Sequence, residues 1–214
     1  MPSRTRTLQP LFPTLAGVPT VAIIPVKSFA MGKQRLAGAL QPEQRSRLGR
    51  ALAGHVATAA STAGLLPVVV TGDADVAEWS TLSGFPIVAD PGRGLDSAAT
   101  AGANWAMASS SKWIVVHSDL PLLAPSDLAH LESIMSGSRN VVAPSADGGT
   151  SAIGSHRPVA FSFGVSSFHR HLGVLEDPVV VTRTGLLLDV DSPKDLAAAI
   201  AAPRGRWMRD VIEG

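Results

Sequence analysis

No cysteine occurs among the 214 residues. That absence removes disulfides, thiolate nucleophiles and thiolate metal sites together, and leaves oxygen and imidazole as the ligands for any metal. Neither sign of charge is in excess: 18 basic and 17 acidic side chains leave a formal net charge of +1. No global field therefore points to nucleic acid or to an anionic membrane, and anion recognition has to be local. No apolar run approaches the roughly 20 residues that a membrane-spanning helix needs. Arg4 and Arg6 precede a moderately apolar stretch, but Pro10, Pro13, Pro19 and Pro25 interrupt it and no small-residue cleavage site follows, so residues 1–18 read as a disordered leader and not as a signal peptide. The expectation is a soluble, cytoplasmic protein. Three fingerprints are missing too. There is no GxGxxG, Gly32-Lys33 runs into Gln34 without the upstream glycine of a Walker A loop, and there is no GxSxG elbow, which leaves Rossmann dehydrogenases, P-loop NTPases and serine hydrolases without support.

What the chain does contain is an alternation of short apolar runs with longer alanine-rich segments. Its length suits one domain, placed at 19–202 with a C-terminal tail at 203–214. Strands are predicted at 21–26, 67–71, 86–89 and 113–117, and helices at 42–63, 76–82 and 95–109. In the first helix Leu48, Leu52, Val56 and Ala59 share a face at three- and four-residue spacings. The run WIVVH at 113–117 is the strongest strand and is expected to be central. Continuous apolar strands between helices predict an α/β fold, a mostly parallel sheet covered on both faces. Beyond residue 140 the pattern loosens, with strands expected at 141–143, 159–163, 179–181 and 186–190 in mixed pairing.

Ligands of such sheets sit beyond the C-terminal ends of the strands. The first strand runs into a segment bearing Lys27, Lys33 and Arg35 around Gly32, a loop suited to a phosphate. The strand at 113–117 runs into Ser118-Asp119-Leu120-Pro121, which places a carboxylate at the edge, and Ser126 is expected to cap the next helix, so Asp119 is the first metal candidate. Asp189 and Asp191 stand at another strand end and point the same way in extended geometry, ahead of a helix start at Ser192-Pro193-Lys194-Asp195. Together with Asp119 they would suit a hard cation such as Mg²⁺. The segment Asp90-Pro91-Gly92-Arg93-Gly94-Leu95-Asp96 precedes a helix whose free N–H groups can receive a phosphate or contact a base, and the glycine-bearing segments around Ser151 and around Gly164 and Ser167 offer hydroxyls to a small polar ligand. The histidines, His117 among them, show no metal-ligand spacing.

Taken together, VKSFAMGKQRLAGAL, DPGRGLDSA, HSDLPLL, DGGTSA, FGVSSFHRH and DVDSPKDL resemble, in order and spacing, the motifs of the phospholactate/phosphoenolpyruvate guanylyltransferases of deazaflavin coenzyme F(420) biosynthesis. The resemblance spans about residues 21–196. It implies a single-domain, Rossmann-like three-layer nucleotidyltransferase fold of the GT-A-like kind, with GTP as donor, Mg²⁺, and a small phosphorylated carboxylic acid, phosphoenolpyruvate or 2-phospho-L-lactate, as acceptor. It places the metal on Asp119, Asp189 and Asp191, the acceptor on Ser151, Gly164 and Ser167, and the triphosphate on Lys27, Lys33 and Arg35, with Gly94 and Asp96 beside the nucleotide. Asp119 and Lys33 carry the catalytic roles, one holding the cation and one neutralising the departing pyrophosphate. The chain departs from the family pattern at GGTS, where Thr150 stands in a place usually held by glycine, and at Asp96, where the family has asparagine. Other nucleotidyltransferases or glycosyltransferases of the same architecture and a nonenzymatic nucleotide-binding module are the competing readings. Acceptor choice separates the first and consumption of GTP the second. No nucleic-acid or membrane partner is implied, and the oligomeric state stays open, a homodimer included.

Overall fold

The computed structural model describes residues 18–109, 111–137 and 139–214. The leader read at 1–18 lies outside them except for Val18. In chain order the elements are β1 (Val21–Pro25), α1 (Pro42–Thr62), β2 (Leu66–Thr71), α2 (Ala74–Leu82), β3 (Ile87–Ala89), α3 (Leu95–Ala108), β4 (Trp113–Val116), α4 (Pro125–Met135), β5 (Val141–Pro144), β6 (Thr150–Ser155), α5 (Ser167–Val174), β7 (Val179–Val180), α6 (Thr184–Leu187), α7 (Pro193–Ala201) and α8 (Trp207–Glu213). The seven strands make one sheet in the order β3-β2-β1-β4-β6-β5-β7. Pairing is parallel for β1 with β2 and β4, β2 with β3, and β5 with β7, and antiparallel for β6 with both its neighbours. The sheet is thus mixed and mostly parallel, and WIVV is its middle strand.

Side-chain alternation along the strands divides the core into two layers. Ala22, Ile24, Val69, Ile114 and Val116 face α1 and α4 through Ala53, Val56, Ala57, Leu128 and Leu131. Val21, Ile23, Val68, Val70, Trp113 and Val115 face α3 through Ala98, Ala99, Ala103 and Ala106. The small residues of α3 let it lie close to the sheet. At Gly102 a Cβ would collide with Ile23 Cγ2 and stand 3.1 Å from Val70 Cγ2. A third cluster fills the outer side of α1, where Leu48 and Leu52 meet Leu36, Val190, Leu196 and Met208. Residues 203–214, read as a tail, therefore carry a helix whose Met208 is fully buried.

Three local expectations are corrected, and one element was not expected. Residues 159–163 form no strand, and two of their backbone donors go to side chains: Ser162 N–H donates to His171 Nε2 at 3.0 Å and Phe163 N–H to Asp96 Oδ1 at 2.7 Å. No ladder is left for them to join. Residues 186–190 form the end of α6 and an irregular stretch tied by single bonds, Ala146 N–H to Leu187 O and Val190 N–H to Asp119 O. The N-cap of α4 is Ala124, not Ser126. Pro125 opens the helix, and the Asp127 carboxylate accepts the Ala124 N–H at 2.9 Å while taking Arg183 Nε at 2.6 Å. Finally, β6 went unforeseen. TSAIGS has little apolar character, yet every residue of it is buried.

The reversed direction of β6 sets which groups reach the sheet's functional edge. Val116 at the end of β4 pairs with Ala152, so Thr150 and Ser151 enter the sheet at the edge where β1 and β4 leave it.

Candidate active site

β4 ends at Val116, and His117 and Asp119 follow it off the sheet. His117 is still tied to the ladder, its N–H donating to Ser151 O at 3.0 Å, and Asp119 O receives the Val190 N–H at 3.1 Å. That second bond carries Asp189 to the same edge. The ligand atoms of His117, Asp119 and Asp189 all lie within 4.8 Å of one another. Asp119 Oδ2 accepts from Lys33 Nζ at 2.5 Å, while Asp119 Oδ1 and His117 Nε2 are buried with no hydrogen-bond partner among the described residues. Buried polar atoms left without a partner are costly. Two of them beside the Asp189 carboxylate form a donor set that a divalent cation fits.

The charges of the two cluster carboxyls diverge. Burial works to raise Asp119, but the Lys33 ammonium and His117 outweigh it and hold the carboxyl below the usual aspartate range. Asp189 has no such cation among the described residues; burial first, then the charge of Asp119, pushes it above that range. Asp191, expected beside Asp189, instead faces the basic loop, with Lys33 Nζ at 3.6 Å and Arg35 Nη1 at 3.7 Å. One carboxylate of the DxD thus serves the cluster and the other holds the loop.

That loop is built around backbone constraint. Lys33 adopts left-handed geometry at φ 55°, a conformation that costs a non-glycine residue roughly 1–2 kcal/mol. Its side chain, 12% exposed, is aimed inward at Asp119. Gly32 is needed because a Cβ there would stand 2.7 Å from the Ser28 carbonyl oxygen. Arg35, by contrast, is 79% exposed. Lys27 is exposed and lines a cleft of about 420 Å³ between the end of β1 and the start of α3, together with Asp90, Gly92, Gly94 and Leu95. Gly94, at φ 94°, is the N-cap residue of α3 and carries no capping side chain, so the first N–H groups of that helix open toward the cleft. Asp96, read beside the nucleotide, uses its carboxylate to accept the Phe163 N–H.

The expected acceptor residues separate. Ser151 is fully buried and its hydroxyl donates to Ala143 O at 3.2 Å and Pro144 O at 3.4 Å, so it is turned into the sheet and away from Gly164 and Ser167. The hydroxyl beside Ser167 is that of Thr150: Ser167 Oγ donates to Thr150 Oγ1 at 3.2 Å, and Thr150 Oγ1 meets His171 Nδ1 at 2.9 Å. His171 Nε2 accepts the Ser162 N–H, so the ring proton sits on Nδ1 and the imidazole is neutral. Burial holds His171 below the usual histidine range, with Asp96 acting against that and Arg170 and His117 adding to it. The two hydroxyls and Nδ1–H share two bonds, so one hydroxyl hydrogen stays outside them. Gly164 at φ 110° and Ser166 at φ 57° turn the chain into α5, and Arg170 clamps the turn through the carbonyls of Ser162, Phe163 and Val165. The Phe163 ring bridges the two halves of the site, 5.4 Å from the His117 ring and 4.8 Å from that of His171.

The structure therefore brings together Lys33, Asp119, Asp189 and Asp191 at one point, and Lys27 with Gly94 at a neighbouring cleft. His117, Thr150 and His171 belong to this edge, and spacing along the chain does not single them out. A signal for His117 was present: it stands two residues before Asp119 at the end of the strongest strand. Thr150 and His171 are joined only by tertiary contact, which leaves no mark in the sequence.

Comparison with known proteins shows the family. A family profile described as "Guanylyl transferase CofC like" matches residues 20–208. The 2-phospho-L-lactate guanylyltransferase of Methanothermobacter thermautotrophicus is 30% identical over 200 residues, 90% of this chain and 89% of that protein. The phosphoenolpyruvate guanylyltransferase of Streptosporangium roseum is 35% identical over 207 residues, 90% and 91% of the two chains. Among solved structures, a nucleotidyl transferase from Methanothermobacter superposes with a TM-score of 0.63 at 16% identity, over 91% of this chain and 100% of that one. A cytidylyltransferase from Leptospira borgpetersenii gives 0.53 at 13% identity, over 92% and 93%. These two likenesses show a shared nucleotidyltransferase fold. With most of its length matched by the family profile and by relatives at 30% identity or more, the chain belongs to the CofC-like guanylyl transferases.

Proposed function

We propose that the protein transfers GMP from GTP to the phosphate of a small phosphorylated carboxylic acid, phosphoenolpyruvate in the first place and 2-phospho-L-lactate in the second, as an activation step in coenzyme F(420) biosynthesis. The observation that carries the reading is the meeting of Lys33, Asp119 and Asp189 at the C-terminal edge of the sheet, next to the cleft of Lys27 and Gly94. A phosphate oxygen of the acceptor attacks the α-phosphorus of GTP. The new phosphoanhydride forms as the bond from the α-phosphorus to the bridging oxygen breaks, and pyrophosphate leaves with that oxygen and its electron pair. The acceptor phosphate is already ionised at neutral pH, so no side chain has to take a proton.

Asp119 and Asp189 would hold a divalent cation, Mg²⁺ by default, and such an ion neutralises phosphate charge. Lys33 sits against Asp119 and within reach of Asp191, from where its ammonium can follow the charge that accumulates on the departing pyrophosphate. Lys27 and the open N-terminus of α3 receive the remaining phosphates. Gly164, Ser167 and Thr150 bind the acceptor, with Thr150 taking the part read for Ser151, because its hydroxyl and not that of Ser151 lies beside Ser167. Incubation with GTP, Mg²⁺ and each acceptor in turn, followed by pyrophosphate release and mass spectrometry of the product, tests the proposal. A guanylylated acceptor is expected. GTP bound but not consumed with any acceptor would reject it.

A further inference from the structure

We propose that His117 is itself a metal ligand of this chain, so that the cation site is a mixed nitrogen and oxygen site favouring a first-row transition ion, Co²⁺ or Mn²⁺, over Mg²⁺. The inference rests on the reading of Asp119 and Asp189 as cation-binding carboxylates and specifies the ion they share.

Three independent observations converge on the imidazole. Its ligand atom lies within 4.8 Å of those of Asp119 and Asp189, a separation that small side-chain movements close to the spacing of neighbouring ligands around one ion. Its Nε2 is buried and has no partner among the described residues, a state that a hydrogen bond or a metal must relieve. Its position is held from two sides, by the bond from its own N–H to Ser151 O and by the Phe163 ring packed 5.4 Å away at 48°. The neighbouring carboxylate is divided to match. Lys33 takes Asp119 Oδ2 and leaves Oδ1, which is also buried and unpartnered among the described residues.

The donor set decides the class of ion. Carboxylates and water suffice for Mg²⁺, which gains little from a nitrogen ligand, whereas imidazole strengthens binding of borderline ions along the first-row series. A site with two carboxylates and one imidazole also leaves positions for phosphate oxygens or water, so it is compatible with nucleotide chemistry.

The test uses the full chain stripped of metal with a chelator, without GTP or acceptor. Mn²⁺ bound to the wild-type protein should show, by electron spin-echo envelope modulation, nitrogen coupling from a directly coordinated imidazole. Calorimetric titration should give Co²⁺ affinity at least about tenfold above Mg²⁺, and His117→Gln should weaken Co²⁺ by at least about tenfold, a loss that removal of a ligand's supporting partner alone already produces, while moving Mg²⁺ little. Absence of nitrogen coupling in the wild type overturns the proposal, as does an equal loss for all ions in the variant. Should the variant not fold, the spectrum of the wild-type protein decides alone. Because no turnover is measured, failure of GMP transfer and failure of nitrogen ligation are read separately.

Discussion

Lys33 Nζ donates to Asp119 Oδ2 at 2.5 Å, although the two residues come from loops 86 positions apart and each is only partly exposed. The pair is anchored on one side by the left-handed backbone of Lys33 and on the other by the end of β4. A lysine held this way neutralises the carboxylate cluster from within. Arrival of a cation and a triphosphate gives the carboxylates and the ammonium new partners at the same time, so the two ligands should bind cooperatively.

Lys33→Ala should raise the KM for GTP by at least about tenfold, equivalent to about 1.4 kcal/mol, and change the KM of the acceptor far less. Initial rates with each substrate varied in turn check this. Equal losses for both substrates would place the lysine elsewhere in the reaction.

Asp119→Ala should abolish cation-dependent pyrophosphate release. Changes that only support a metal ligand already cost roughly 10–100-fold, so removal of a ligand should cost more, with the far-ultraviolet circular dichroism spectrum unchanged. Normal turnover by a folded variant would remove the cation from this cluster.

Gly102→Val should destabilise the fold by about 1–3 kcal/mol, the usual effect of forcing atoms into a packed core. The new side chain meets Ile23 and Val70 and has to push α3 off the sheet. Urea denaturation measures the change, and a variant as stable as the parent would mean that α3 stands farther from β1 and β2 than the contacts at Gly102 require.

His171 predicts a pH dependence. Its folded pKa lies below the ordinary histidine value, so the unfolded chain takes up the proton more readily than the folded one. The stability it contributes is present above the unfolded value of about 6.5 and is lost as pH falls through the lower folded value. Protonation puts a hydrogen on Nε2 facing the Ser162 N–H, so the turn before α5 loosens. The acceptor KM should therefore climb in that window ahead of the KM for GTP. His171→Gln should flatten the dependence of Tm on pH, which thermal melts across that range will show.

Much of the architecture was legible from periodicity alone. α1 declared itself through Leu48, Leu52 and Val56, and WIVV through its unbroken apolar run, because both bury large side chains on a regular face. The failures share one cause. Residues 159–163 alternate like a strand, but the N–H groups of Ser162 and Phe163 are captured by His171 and Asp96. β6 is buried throughout although composed mostly of small and polar residues, since its neighbours supply the bulk. In each case a distant partner overrules local pattern. The same division runs through the site. Asp119 stands at a strand end and Lys33 in a basic loop, where position alone suggested chemistry, whereas Asp189 was read at the end of a strand that does not form and reaches the edge through the Val190 N–H to Asp119 O bond. Alternation along β6, itself not read from the sequence, decides which of two adjacent hydroxyls meets Ser167: that of Thr150, while Ser151 bonds to Ala143 O and Pro144 O.

The reversal at β6 has an evolutionary corollary. Because that strand runs against β4, the lysines and the helix N-terminus proposed for the nucleotide come from the first half of the chain and the groups proposed for the acceptor from the segment 145 to 170, the two meeting at one edge of the sheet with Asp119 and Asp189 on either side of that segment in the chain. Acceptor preference can then drift while donor recognition is inherited intact. A chimera that exchanges only that segment between relatives of different acceptor preference should exchange the preference with it.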